Sequence, residues 1–404
     1  MKKLLAILLS ALLTMTLLMP CVALAEDEGE EFVPVYKIEQ EIKRAEGFTP
    51  DSPLPVKSAI LIEQSSGKVL FERDSDKQLA PASVTKIMSL LLFMEALDSG
   101  KISLTDRVSC SETAAAYGGS QIWLKPGEEM TVEELLRATA IASANDATVC
   151  LAEYVAGSEQ SFVEMMNRRA AELGMKNTVF KCAAGLDNQG HLTTARDISL
   201  MSRELLQNHP DITKYTTVWM DSLRGGATEL VNTNRLVRFY EGATGLKTGT
   251  TSGAGSCLSA SARRGGLGLI AVVMGADSSD NRFGAARALL DWGFGTYIQA
   301  KLAPMDNLAA IKVTGGTAPS VMPICLPPEG VVIERAKAEL LSQEAVLPES
   351  LPAPVAQGQE IGRVRVTAEG KLLWEYPICA AAEVPEMTLG KALGILTEAL
   401  LKCK

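Results

Sequence analysis

The sequence predicts an α+β domain, in which an antiparallel sheet is flanked by helices, followed by a small all-β domain and a C-terminal amphipathic helix. Three observations carry this prediction. Apolar strand-like runs lie at both ends of residues 56–300, with helical patterns between them. From about residue 301 to 384 the chain breaks into short runs such as Val331-Val332-Ile333, split by Pro and Gly. Residues 385–404 carry Leu389, Leu393, Leu396 and Leu400 on one stripe at helical spacing. A sheet assembled from two chain ends, with the intervening helices on its faces, gives the α+β layering.

The segments before residue 56 stand outside this plan. Lys2 and Lys3 precede an apolar run over 4–18, and Ala23-Leu24-Ala25 offers small residues for cleavage. This is the pattern of a secretory signal peptide over 1–25, and it predicts export. Cys21 follows Pro20, which stands where a lipoprotein signal needs a small residue. Residues 26–55 form an acidic, Pro-containing lead-in. The whole 404-residue chain is long enough for two domains, and its net charge of −9 argues against a nucleic-acid binder, which needs clustered Lys and Arg. Seven scattered cysteines remain after the signal, without a CxxC pair, so they suggest neither a disulfide framework nor a zinc site. Most are expected as small core hydrophobes.

The elements follow in order. Residues 59–62 and 68–71 flank Ser65-Ser66-Gly67 as a hairpin. From Ser83 to Leu97 apolar residues surround the whole helical circumference, which places that helix inside the core. Thr131 with Glu134, and Ser161 with Glu164, have capping-box spacing within a helical stretch over 131–173, and Gly174 ends it. Another helix is expected over 194–206. Residues 256–263 and 267–275 form a second hairpin around Gly265-Gly266, and a helix over 285–290 closes the domain. The terminal leucine stripe fits either a helix docked on its own β domain or one lying in a membrane surface.

Chemistry is narrowed by elimination. The chain has only two histidines, His191 and His209, so a Ser-His-Asp machine or a multi-histidine metal site is hard to build. His209 precedes Pro210 in a loop, and His191, beside Thr193 and Thr194, suits a loop or capping role. A serine can instead be activated by lysine. In Ser83-Val84-Thr85-Lys86 the two side chains share one helix face, and a helix start aims backbone N–H groups at a developing oxyanion. Lysine is a poor base unless burial and a second cation lower its pKa. S-x-x-K alone arises about once or twice by chance in a chain this long. Ser65-Ser66-Gly67-Lys68 is such a match, in a turn. Ser143-Ala144-Asn145, at a break between helices, and Lys247-Thr248-Gly249, leading into the second hairpin, are what distinguish Ser83. Gly249 would let a substrate backbone lie along the strand, and Lys247 would supply the second cation. Ser279-Asp280-Asn281 spells S-D-N but follows K-T-G and is set aside.

The ordered set S-x-x-K, S-x-N, K-T-G resembles the signature of penicillin-binding proteins and serine β-lactamases. Over residues 56–295 the chain is similar to the low-molecular-mass serine-type D-alanyl-D-alanine carboxypeptidases. Leu79-Ala80-Pro81-Ala82, His191-Leu192-Thr193-Thr194-Ala195-Arg196-Asp197 and Gly245-Leu246 add to the likeness. The resemblance implies a penicillin-binding/serine β-lactamase-like fold with no cofactor or metal. It implies that Ser83 attacks the penultimate D-alanine carbonyl of a peptidoglycan stem peptide, with Lys86 as base. Ser143 would relay a proton toward the leaving D-alanine, or to the Lys86 and Lys247 pair. Asn145 would hold the substrate amide, and Lys247 and Thr248 the terminal carboxylate. The N–H groups of Ser83 and Thr250 would form the oxyanion hole. Arg282 falls at the distance of a carboxylate-binding arginine, or makes a surface ion pair. β-Lactams are the expected covalent inhibitors, and the terminal helix is expected on the outer face of the cytoplasmic membrane. Phe180-Lys181-Cys182 departs from the family's Phe-x-Asn before Gly185-Leu186. Two rivals share these features: a β-lactamase, which deacylates fast through a Glu-activated water, and a catalytically silent wall-binding protein.

Overall fold

Ser58–Glu63 (β1) and Val69–Arg73 (β2) form the first hairpin of a computed structural model that describes residues 47–305 and 307–402. The signal peptide and residues 26–46 of the lead-in lie outside the described residues. A turn of 3-10 helix, Ala82–Thr85, runs directly into Lys86–Asp98 (α1). Two short ribbons pair Arg107–Ser109 (β3) with Glu129–Thr131 (β4), and Met220–Leu223 (β5) with Thr228–Val231 (β6). Between them stand Val132–Ile141 (α2), Asn145–Ala156 (α3), Glu159–Glu172 (α4) and Ala195–Asn208 (α5). Then come Ala243–Thr251 (β7), Gly255–Arg264 (β8), Leu267–Ala276 (β9) and Ser279–Thr296 (α6).

The two chain ends meet in one antiparallel sheet of order β2-β1-β9-β8-β7. Its central strands are buried on both faces, because successive side chains point to opposite sides. On β1, Ile60 and Ile62 join the larger core with α1 and α5, while Ala59 and Leu61 join the core under α6. β9 splits likewise, Ile270, Val272 and Met274 facing one core and Leu269, Ala271 and Val273 the other. This explains why these strands read as continuous apolar runs. It also explains α1, whose residues from Lys86 to Met94 are all buried among its neighbours.

Thr131 and Glu134 close the expected capping box on α2. The second expected box is corrected: α4 is capped by Ser158, which accepts from the Ser161 N–H, and Ser161 lies inside the helix. Four consecutive polar residues there, Ser158 to Ser161, allowed two starts, and the chain takes the earlier. Lys247-Thr248-Gly249 does not merely precede the second hairpin but lies within β7, a further strand at the sheet edge.

The remaining strands make a separate all-β unit. Ser320–Val321 (β12), Ile311–Thr314 (β11) and Ser350–Pro352 (β16) form one sheet. Pro323–Cys325 (β13), Lys371–Ala380 (β18), Glu360–Ala368 (β17) and Leu341–Val346 (β15) form another, and the two enclose Val313, Val364, Val366 and Ile378. Tyr297–Ala300 (β10), which follows α6, pairs with Val331–Glu334 (β14). Leu389–Lys402 (α7) ends the described chain, and Leu389, Leu393 and Leu396 on its stripe are exposed.

Candidate active site

Ser83 occupies the 3-10 turn in front of α1. Every residue from 81 to 94 is buried except Ser83, so the fold presents one hydroxyl from an otherwise closed segment. The chain bends sharply to do this. Ala82 has φ 48° and Ser143, two residues before Asn145, has φ 62°, both in the left-handed region that non-glycine residues seldom adopt. Such strain clusters at working sites held in place by their surroundings.

Lys86 lies one turn below Ser83 with its Nζ 2.9 Å from Ser83 Oγ. The same nitrogen donates to Asn145 Oδ1 at 2.5 Å and to the Ala184 carbonyl at 2.8 Å. Asn145 is aimed by its own contacts, its Nδ2 donating to Gly118 O at 2.7 Å and its backbone N–H to Ser120 O at 2.7 Å. It is the first residue of α3, reached from α2 through the Ser143 break. Lys86 is fully buried, and burial first, then the nearby Lys247 charge, holds its ammonium well below the ordinary lysine range. The sequence-predicted second cation is therefore in place.

β7 flanks the other side. Gly249 is required there: a Cβ on it would stand 2.8 Å from the backbone nitrogens of both Ser83 and Val84 and 2.9 Å from Pro81 O. Its absence lets the strand close on the Ser83 turn, with Thr250 next along. Lys247 is buried, and Thr248 Oγ1 donates to Thr233 Oγ1 at 2.6 Å. Arg282 is not a surface residue. It lies buried on α6 behind β7, donating to Gly249 O at 3.2 Å and Thr250 Oγ1 at 2.9 Å, so it holds the strand that borders Ser83.

Several contributors carry no sequence signature. Asp146, buried beside Asn145, accepts from the N–H groups of Ile122 and Leu124 and so fixes the loop that supplies Gly118 and Ser120. Asp187 ties the loop after Cys182 to the end of β7, accepting from Thr251 Oγ1 at 2.7 Å and from Gly253 N at 3.1 Å. Cys182 accepts from Gly185 N at 3.3 Å, so the thiol serves as a local cap. The decoy Ser279-Asp280-Asn281 opens α6. A β-lactamase-like Glu-x-x-x-Asn spacing occurs at Glu204 to Asn208, but on α5, where Glu204 pairs with Arg169 at 2.5 Å.

One consequence concerns pH. Lys247→Gln removes the cation that disfavours protonated Lys86, so the Lys86 pKa rises. The limb along which acylation by penicillin rises with pH should shift to higher pH. A profile of labelling rate against pH measures this, and an unmoved limb would separate the two lysines functionally.

Comparison with known proteins agrees with this geometry. A family described as D-alanyl-D-alanine carboxypeptidase matches residues 48–278, and the C-terminal domain of penicillin-binding protein 5 matches residues 306–386. The chain is 42% identical over 358 residues to the D-alanyl-D-alanine carboxypeptidase DacF of Bacillus subtilis, covering 87% of this chain and 91% of that protein. Penicillin-binding protein 5 of Haemophilus influenzae aligns with a TM-score of 0.75 and 30% identity, over 84% of this chain and all of that one. Penicillin-binding protein D2 of Listeria monocytogenes, solved in its cefotaxime-bound form, aligns with a TM-score of 0.56 and 31% identity over 61% of this chain and 100% of that one. With a family match across more than half its length and a relative covered almost end to end, the chain belongs to the D-alanyl-D-alanine carboxypeptidase family of low-molecular-mass penicillin-binding proteins.

Proposed function

We propose that the protein removes the terminal D-alanine from peptidoglycan stem pentapeptides through an acyl-enzyme on Ser83. The observation that carries this is the set of partners around Lys86 Nζ. A neutral amine has two N–H groups and one lone pair. Asn145 Oδ1 and Ala184 O, which can only accept, take the two N–H groups. The lone pair is left for the Ser83 hydroxyl at 2.9 Å. Burial beside Lys247 favours that neutral form.

The steps follow. Ser83 Oγ bonds to the carbonyl carbon of the penultimate D-alanine as its proton passes to Lys86. The N–H groups of Ser83 and Thr250 hold the oxyanion. The C–N bond then breaks as Lys86 gives up the proton it took, which Ser143 relays to the leaving D-alanine nitrogen. Water hydrolyses the ester and regenerates Ser83. Lys247 and Thr248 receive the substrate's terminal carboxylate, and Asn145 its amide. Arg282 acts on that carboxylate through Thr250 and Gly249. A β-lactam presents a similar carbonyl and carboxylate, and the cefotaxime-bound relative supports inhibition by β-lactams here too.

Mass analysis of products from a stem pentapeptide tests the reaction: loss of one D-alanine is expected. Rapid penicillin turnover without lasting labelling would instead favour a β-lactamase.

The location is also inferred. The signal-like start of the chain and a peptidoglycan substrate both support a location outside the cytoplasmic membrane. Among the described residues no helix is long and apolar enough to cross a membrane. The exposed leucines of α7 suit a helix lying in the membrane surface. Deleting residues 386–404 should release the protein from vesicles without changing its penicillin labelling. Association that survives the deletion would contradict this.

A further inference from the structure

His191 remains outside the chemistry above, yet it is 2% exposed and stands behind the nucleophile turn. Its Nδ1 accepts from the Lys181 N–H at 3.3 Å, with Cys182 Sγ 3.7 Å from the same atom. A nitrogen that accepts carries no proton, so the ring proton is on Nε2 and is donated to Thr85 Oγ1 at 2.9 Å. Burial favours this neutral ring, lowering its pKa to about 4.

Both ends of this bridge lead to the reacting groups. Thr85 lies in the turn that carries Ser83 and directly precedes Lys86. Lys181 and Cys182 begin the loop whose Ala184 carbonyl accepts from Lys86. That loop presses on the turn so closely that a Cβ on Gly185 would stand 2.1 Å from Ala82 O and 2.8 Å from Thr85 Oγ1. Two backbone segments about a hundred residues apart in sequence must therefore keep register for Ala184 O to hold Lys86 Nζ toward the Ser83 hydroxyl. The imidazole bonds to both, beside the bonds that Lys86 Nζ makes to Ala184 O and Ser89 Oγ to Ala183 O.

We propose that His191 is a positioning residue for acylation, locking the Ser83 turn, through Thr85, to the loop that orients Lys86. It touches no substrate and transfers no proton. Its effect falls on the chemical step and leaves initial binding unchanged, since the carboxylate site lies on β7. The proposal rests on Ser83 being the acylated residue.

The test is the rate of covalent labelling by a fluorescent penicillin, resolved into initial binding and acylation. His191→Ala should slow acylation by about 10-fold or more, in keeping with the cost of small misplacements near a reacting pair, at unchanged initial binding. His191→Gln keeps a donor that can reach Thr85 and should recover most of the rate. Thr85→Val should reproduce the loss, Thr85→Ser should not, and His191→Ala combined with Thr85→Val should be no slower than the worse single variant. Should His191→Ala fail to fold, the Thr85→Val and Thr85→Ser pair carries the same test with the imidazole intact. Unchanged acylation, a loss confined to initial binding, or additive losses in the double variant would each overturn the proposal. Wild-type labelling at a residue other than Ser83 would sink the nucleophile assignment and this proposal with it. Labelling of Ser83 at an unchanged rate in His191→Ala would sink this proposal alone.

Discussion

Ser83→Ala should lose penicillin labelling completely and D-alanine release by at least about 10⁴-fold, because residues that act as one nucleophilic unit do not substitute for one another. No other hydroxyl stands where Ser83 does. The segment around it is closed, and among the described contacts of Lys86 Nζ, Ser83 Oγ is the hydroxyl. Stability should change little. The side chain is partly exposed, and the hydrogen bond it shares with Lys86 contributes about 1 kcal/mol. The variant should therefore fold, retain its melting temperature within a few degrees and still bind the carboxylate of a stem peptide on β7. Release of D-alanine at the wild-type rate would show that another residue is acylated. Loss of release together with loss of folding would require Ser83→Cys, which keeps a nucleophile of similar shape, to be measured beside it.

The parts of this site that were legible in the sequence are those written in side-chain types. Ser83, Lys86, Ser143, Asn145 and Lys247 follow from three short motifs in order, and the structure brings Ser83 Oγ and Asn145 Oδ1 onto Lys86 Nζ with the Lys247 charge nearby. The first and last hairpins were legible from their turn glycines and from apolar runs too short for helices. What stayed hidden was written in backbone. The Ala184 carbonyl that completes the Lys86 shell has no residue signature, since any residue but a misplaced one supplies a carbonyl. Asp146 works through the N–H groups of Ile122 and Leu124, more than twenty residues earlier, which no local pattern reveals. β7 escaped as a full strand because Ala243–Thr251 is rich in Thr and Gly and lacks apolar alternation. β7 is the edge strand of its sheet, paired on one side only, to β8. Arg282 was legible as a residue of interest, but its burial behind Gly249 was not, because it depends on how α6 crosses the sheet.

The identity of the base can be separated from the mere presence of positive charge. Lys86→Arg keeps the charge but removes any chance of a lone pair, since a guanidinium stays protonated throughout the accessible pH range. Lys86→Met removes both. If Lys86 is the base, both variants should acylate at least about 10³-fold more slowly, within the range that a positioned acid or base supplies. Neither should recover as the pH is raised. If Lys86 serves only as a cation, Lys86→Arg should retain most of the rate and Lys86→Met little of it. Size confounds the arginine variant, because the pocket holds Nζ between Asn145 Oδ1 and Ala184 O at 2.5 and 2.8 Å and leaves no room for a planar fork. The Met variant controls for this, being close to lysine in length and shape. It should fold with a modest deficit, about 1–3 kcal/mol for each acceptor left without its donor, set against relief from burying an amine. A Met variant that folds but does not acylate, beside an Arg variant equally silent from neutral to alkaline pH, assigns the lone pair of Lys86 as the group that takes the Ser83 proton.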